Sequence, residues 1–279
     1  MSEVIDETII PYSIFDEEGN RLKIKISHDG KLLFLAENIP SIGYKSFYLV
    51  HNNALTNSLN SLSENNDNSL PKKALPEKEN ISEFILENEY VKVIVDEKTG
   101  NLISVYDKIN EQEILQGYGN ELQLFEDKGQ YWDAWNINPN YEEYRLENPS
   151  LISIQWLEKG SLRQIIRIKK TFNRSHFRQD YILNFNSPIL TIKNKVNWQE
   201  DYTLLKVNFS LNIESDFVTY DIACGNIQRT TKPKTEAEKA QWEVNGHYWA
   251  DSSNHNYGVS LLNDCKYGYD SKSNQLRLS

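Results

Sequence analysis

From Ile81 to Ser279 the chain is a succession of short runs in which apolar and polar residues alternate, separated by polar turns. The runs are Tyr90–Asp96, Leu102–Asp107, Glu121–Phe125, Leu151–Leu157, Leu162–Phe172, Gln179–Phe185, Ile189–Trp198, Thr203–Ile213, Phe217–Cys224, Gln241–His247, Gly258–Asn263 and Gln275–Leu278. Period-two alternation places one face of each run in a core and the other in water, which is the pattern of antiparallel sheets. In Ile189–Trp198, for example, Ile192 and Val196 bracket Lys193 and Lys195. The Glu97-Lys98-Thr99-Gly100-Asn101 connection reads as a hairpin turn, with glycine where positive φ is needed. Only Thr235–Ala240 has the look of a helical turn, so βαβ units are excluded and an all-β antiparallel sandwich is predicted.

The first part of the chain is different. Residues 14–27 read as a hairpin around a polar turn at Glu17–Asn20, Lys31–Ala36 as a short strand, and Pro40–Tyr44 as a turn into a strand at Ser46–Val50. Residues 53–80 are rich in Asn, Ser and charge, carry Pro71 and Pro76 and show almost no periodicity. Such a segment buries too little apolar surface to offset its ordering entropy and reads as a flexible linker. The predicted organisation is a small β unit over 1–52, a linker over 53–80 and a large β-sandwich over 81–279.

Composition narrows the function classes. A formal net charge of −10 argues against nucleic acid, whose phosphates call for clustered Lys and Arg. No apolar run approaches the roughly 20 residues that span a bilayer, and the acidic start, MSEVIDETIIPYS, lacks the basic region of a signal peptide. Neither nucleic acid nor a membrane is expected as a partner, and a cytoplasmic location is. Cys224 and Cys265 have no metal-ligand spacing and read as buried free thiols.

Phosphate-binding, zinc-protease and nucleophile-elbow motifs are all missing. The five histidines are scattered; His247 and His255 flank Asp251, a spacing too loose to specify a metal. The stretch EDKGQYWDAWNIN, residues 126–138, sets Tyr131, Trp132 and Trp135 around Asp133. Aromatic faces beside a carboxylate suit sugars, because the apolar face of a pyranose stacks on a ring while its hydroxyls bond nearby polar groups. The same aromatics would also serve to fill a β core. A glycosidase needs two carboxylates at a defined separation, and spacing alone does not bring Asp133 and Asp251 together.

Residues 217–279 carry a resemblance. The Gly225-x-x-Gln228-Arg229 segment, Trp242-Glu243, His247-x-Trp249-x-Asp251, Tyr257-Gly258-Val259 and the run from Leu261 to Gly268 (LLNDCKYG) closely resemble the C-terminal β region of the family-38 glycoside hydrolases, the α-mannosidases, above all the cytosolic type. YWDAWNI and NEYVKVIVDEKTGNLISVYDK look like further elements of that region, in the expected order. The resemblance implies a supersandwich of the galactose-mutarotase type, preceded by the end of a small β-domain. It implies a retaining α-mannosidase acting on mannose-containing glycans, with the nucleophile and a zinc ion in an N-terminal catalytic domain. This chain then reads as a C-terminal fragment with no catalytic or metal residues and no cofactor of its own, ending where the family adds further strands. The catalytic domain would be its partner. By similarity Tyr131, Trp132, Asp133 and Trp135, and secondarily Asp264, Lys266 and Tyr267, would rim the sugar pocket. A stand-alone carbohydrate-binding sandwich is the alternative.

Overall fold

The computed structural model describes residues 11–52, 83–129 and 136–279. Contacts divide the chain into two units: Met1–Ile81 with Leu157–Gln164, and Ser82–Trp156 with Ile165–Ser279.

In the first unit, β1 (Tyr12–Phe15) pairs with β4 (Tyr48–His51), and β2 (Ile24–Ile26) pairs with β3 (Leu32–Phe34). The expected hairpin over 14–27 is therefore only an isolated bridge, Phe15 to Arg21. Local turn chemistry explains the change of partner. The Ser27 hydroxyl donates to Asp29 at 2.5 Å, the Lys31 amide donates to the Ser27 hydroxyl at 2.8 Å, and Gly30 sits at φ +78°. These bonds fold β2 onto β3 within a few residues, as side chains that bond nearby backbone do in turns.

The second unit opens with β5 (Ile85–Glu87), β6 (Val91–Val95), β7 (Leu102–Asp107) and β8 (Gln112–Glu113), a four-stranded sheet in chain order. Then come β9 (Glu121–Glu126) and a 3₁₀ turn at Tyr141–Tyr144. The strands β10 (Ser150–Lys159), β11 (Arg163–Phe172), β12 (Ser175–Asn184) and β13 (Leu190–Asn197) form a second four-stranded sheet in chain order. They are followed by β14 (Thr203–Ser210), β15 (Phe217–Ile222), β16 (Gly225–Thr230), α1 (Glu236–Lys239), β17 (Val244–Asn245), β18 (Trp249–Ser253), β19 (Gly258–Leu262), β20 (Gly268–Lys272) and β21 (Gln275–Leu278). The last two sheets run β17-β20-β21-β14-β9 and β16-β15-β18-β19. Every strand pairing with a defined register is antiparallel. The all-β antiparallel expectation holds.

One core joins these sheets. Leu86, Val93 and Val95 from β5 and β6 share it with Ile166 and Ile168 of β11, Tyr181 of β12, Tyr220 of β15, Ala250 of β18, Tyr269 of β20 and Leu276 of β21. Alternation is clearest in β6, whose buried and half-buried residues take turns, whereas β12 is buried continuously from Gln179 to Leu183. The helical turn α1 is real and carries a reciprocal capping box between Thr235 and Glu238.

The core also holds a lysine. Lys170 is 2% exposed, and its ammonium donates to Asn101 Oδ1 at 2.5 Å. Burial is the largest influence on its pKa, only partly offset by the charges of Glu121 and Asp96, and brings it down to about 8. Below pH 8 the folded and unfolded chains both hold the proton, and the fold bears a penalty of about 3 kcal/mol. Between that value and the unfolded 10.5 the folded chain loses the proton first, so this group makes stability rise with pH. Urea unfolding at about pH 7 and about pH 9.5 is expected to show a gain of about 2 kcal/mol, absent in Lys170→Met. An equal gain in both proteins would refute the assignment.

Candidate saccharide-facing site

Among the described residues β16 is an edge strand paired with β15 alone, in the register Phe217 to Thr230 through Ile222 to Gly225. Its free side borders an open groove of about 530 Å³ whose walls include Phe217, Ile227, Gln228, Arg229, Gln241 and Glu243. Arg229 spans from β16 to β17: it donates to the Asn245 carbonyl at 2.6 Å and to Asn245 Oδ1 at 3.2 Å. The guanidinium also lies 5.4 Å from the centre of the Tyr220 ring. A planar, permanently charged fork that stacks and bonds at once is a stiff brace.

Glu243 is fixed from behind. Its Oε2 accepts from the Lys206 ammonium and its Oε1 from the Ser279 hydroxyl at 2.7 Å. Lys206 has no exposed surface, also meets Asp270 Oδ2 at 2.6 Å and lies 4.9 Å from the Tyr141 ring centre. Asp270 in turn accepts from the Tyr141 hydroxyl at 3.0 Å and from Arg277 Nε at 2.5 Å. Burial first, and then the Asp270 charge, push the Tyr141 phenol far above its ordinary value, so it remains a donor. A network of this kind specifies one arrangement of its members when every one is satisfied.

Next to Glu243, the Trp242 indole donates to the Ile137 carbonyl at 3.2 Å. Tyr131, Trp132, Asp133 and Trp135 themselves lie outside the described residues. Asp264, Lys266 and Tyr267 are described and exposed, in the turn between β19 and β20. Asn263 builds that turn: its Oδ1 accepts from the amides of Cys265 at 3.1 Å and Lys266 at 2.6 Å, and its amide donates to the His247 carbonyl at 3.0 Å. The Gly246 amide donates to the Tyr267 carbonyl at 3.0 Å, which sets Tyr267 just beyond Asn245 of β17. The structure thus brings Tyr267 to the end of the strand that walls the groove. Arg229 and Glu243, which the sequence marked only as family signatures, prove to be two of the groove's fixed charged groups, beside Glu238.

Other candidates resolve differently. Asp251 lies within β18, where its carboxylate accepts from the hydroxyls of Ser253 and Ser260, the latter at 2.7 Å. His247 instead meets the Tyr267 ring edge-on at 6.0 Å between centroids. Both cysteines are free and, contrary to expectation, exposed. Each occupies a tight turn: Cys224 has φ +64° between β15 and β16, and Cys265 sits in the Asn263 turn.

A zinc ion finds no fitting donor set among the described residues. The one group with metal-like spacing is His28, Asp29 and Glu158. Glu158 there accepts from Arg163 through both oxygens, at 2.9 and 2.7 Å, and from His28 Nδ1 at 2.7 Å. Asp29 is engaged by Ser27 and Lys31. Burial raises the Glu158 pKa, but the Arg163 and His28 bonds outweigh it and hold the group at about 2. A carboxylate committed to a guanidinium in this way belongs to an ion pair.

A family model described as the glycosyl hydrolases family 38 C-terminal domain matches residues 86–279. The chain belongs to glycosyl hydrolase family 38. The match takes in β6 to β21 and every wall of the groove. Among curated relatives, Alpha-mannosidase G of Dictyostelium discoideum is 30% identical over 220 residues, covering 75% of this chain and 20% of that protein. Alpha-mannosidase 2C1 of Homo sapiens is 34% identical over 203 residues, 70% of this chain and 19% of that protein. The chain therefore spans about a fifth of the length of these relatives. The crystal structure of an alpha-mannosidase from Enterococcus faecalis V583 matches with a TM-score of 0.64 over 98% of this chain and 34% of that one, at 12% identity. A likeness at that identity speaks for the fold.

Proposed function

We propose that this chain forms the C-terminal β part of a retaining α-mannosidase that hydrolyses terminal α-linked mannose. The observation that carries the reading is the match of residues 86–279 to the family-38 C-terminal domain, together with relatives at 30% and 34% identity that are named α-mannosidases. In this reading the nucleophile, its partner acid and a zinc ion belong to an N-terminal catalytic domain. Zinc, when bound there, engages sugar hydroxyls. The chain's own residues bind and orient the glycan: Tyr131, Trp132, Asp133 and Trp135 by stacking and hydrogen bonding, with Asp264, Lys266 and Tyr267 from the turn between β19 and β20. Such contacts raise catalysis only as far as they hold the transition state better than the ground state.

No described helix is long and apolar enough to cross a membrane. The reading places the protein in the cytoplasm, in line with its likeness to cytosolic-type enzymes.

The test is a chimera in which this chain replaces the matching segment of Alpha-mannosidase G. Hydrolysis of an aryl α-mannoside is expected, with Trp132→Ala and Trp135→Ala raising KM about tenfold or more. A folded chimera that leaves the mannoside intact, or variants that leave KM unchanged, would overturn the role assigned to this segment.

A further inference from the structure

The groove along β16 holds a combination of groups that the family assignment by itself does not explain. Phe217 is 53% exposed and Ile227 is 38% exposed, so apolar surface lies open at its side. Isolated exposed apolar residues are ordinary on protein surfaces. These two line one concavity together with Glu243, Gln228 and Gln241. The volume, about 530 Å³, lies within the range of small-molecule sites.

Glu243 is the decisive member. Its side chain keeps 17% of its surface exposed while Lys206 behind it has none. A fully buried ammonium thus pins the carboxylate of a residue that lines the open groove. Among the described residues each Glu243 oxygen has one protein donor, Lys206 or Ser279, and a carboxylate oxygen has room for a second. Two of the five Arg229 donors go to Asn245, so the groove sets one partly engaged cation against several acceptors and amides. Anions are poorly served by that arrangement, with Glu238 also on the wall. Planar carboxylate and amide groups pair well with vicinal hydroxyls, and an exposed aromatic face suits the apolar side of a sugar ring.

We infer that the groove is a binding subsite for a neutral saccharide, with Phe217 as the stacking surface, Glu243, Gln228 and Gln241 as hydroxyl partners, and Lys206 as the positioning residue that holds Glu243. The identity of the sugar as a mannoside rests on the α-mannosidase reading above; the groove chemistry stands without it.

The experiment is a titration of the whole 279-residue chain with methyl α-mannoside and with mannobiose, followed by backbone and side-chain amide NMR shifts, with cellobiose as a second probe. Shifts are expected to concentrate at Gln228, Arg229, Gln241 and Glu243. Glu243→Gln and Phe217→Ala are each expected to weaken binding about tenfold or more. Gln228→Ala removes a side chain whose internal bond is a 3.5 Å contact to Thr219, so it keeps the fold and is expected to weaken binding several-fold. Shifts confined to other surfaces, or binding indifferent to all three variants, would overturn the inference, as would a groove that takes an extended peptide along β16 and no sugar. Binding of cellobiose as tightly as mannobiose would keep the saccharide subsite and remove its mannose assignment. A groove that binds no sugar, in a chain whose chimera still hydrolyses an aryl α-mannoside, would sink the subsite and leave the enzyme reading standing.

Discussion

Lys206→Met is expected to destabilise the chain by about 3–5 kcal/mol, the usual penalty for removing one partner of a buried ion pair. Lys206 is wholly buried and bonded to Glu243, Asp270 and Ser279. Removing the ammonium leaves Asp270, which is 7% exposed, with Arg277 as its remaining cation. Glu243 is left with the Ser279 hydroxyl alone among these donors. The methionine fills much of the lysine stem's volume, so the loss reports the charge more than a cavity. The double variant Lys206→Met with Glu243→Gln should recover about 1 kcal/mol or more, because one stranded charge goes with it. Urea unfolding followed by tryptophan fluorescence measures both. A single-variant loss below about 1 kcal/mol would mean that the network contributes little to the fold.

Gly100→Ala is expected to cost about 2–4 kcal/mol, from a left-handed backbone and from overpacking together. Gly100 has φ +68°, and an added Cβ would stand 2.6 Å from Ile168 Cγ2 and 3.0 Å from Leu151 Cδ1. The backbone cannot readily shift away, because the Gly100 carbonyl accepts from the Tyr181 hydroxyl at 2.9 Å, and Tyr181 also receives the Asn120 amide at 2.8 Å. Thermal unfolding of Gly100→Ala beside Ile168→Ala, which removes the clashing Cγ2, separates the two causes. If the clash dominates, the double variant loses less than the sum of the singles; if the backbone dominates, the losses add.

The hairpin around Gly100 was legible in the sequence, as were most strands, because alternation survives wherever one face meets the core. β6, β7, β10, β11, β13 and β14 fall close to their expected spans. The strands that escaped notice are those without the pattern. β16, GNIQRT, is an exposed edge with little to alternate. β18, WADSS, hides small and polar residues inside a sheet, and β20, GYDSK, buries Asp270 where an acidic residue reads as surface. Lys170, Lys206 and Arg277 were invisible as core residues for the same reason. A charge is buried only when distant residues supply its partners, and spacing along the chain does not show them.

The groove has the same origin. Phe217, Arg229 and Glu243 come from separate stretches, and only the edge position of β16 beside β17 unites them. The Gln228-Arg229 and Trp242-Glu243 pairs were visible as signatures, without their geometry. Asp251 failed as a site candidate because its serine partners, Ser253 and Ser260, already satisfy it.

The most direct test of the central claim is hydrolysis of an aryl α-mannoside with added zinc, by this chain alone and by this chain mixed with Alpha-mannosidase G from which the matching segment has been removed. The account predicts no turnover by the chain alone and turnover on mixing, lost again when Trp132 and Trp135 are both replaced by alanine. Turnover by the chain alone would contradict it and place the chemistry within these 279 residues.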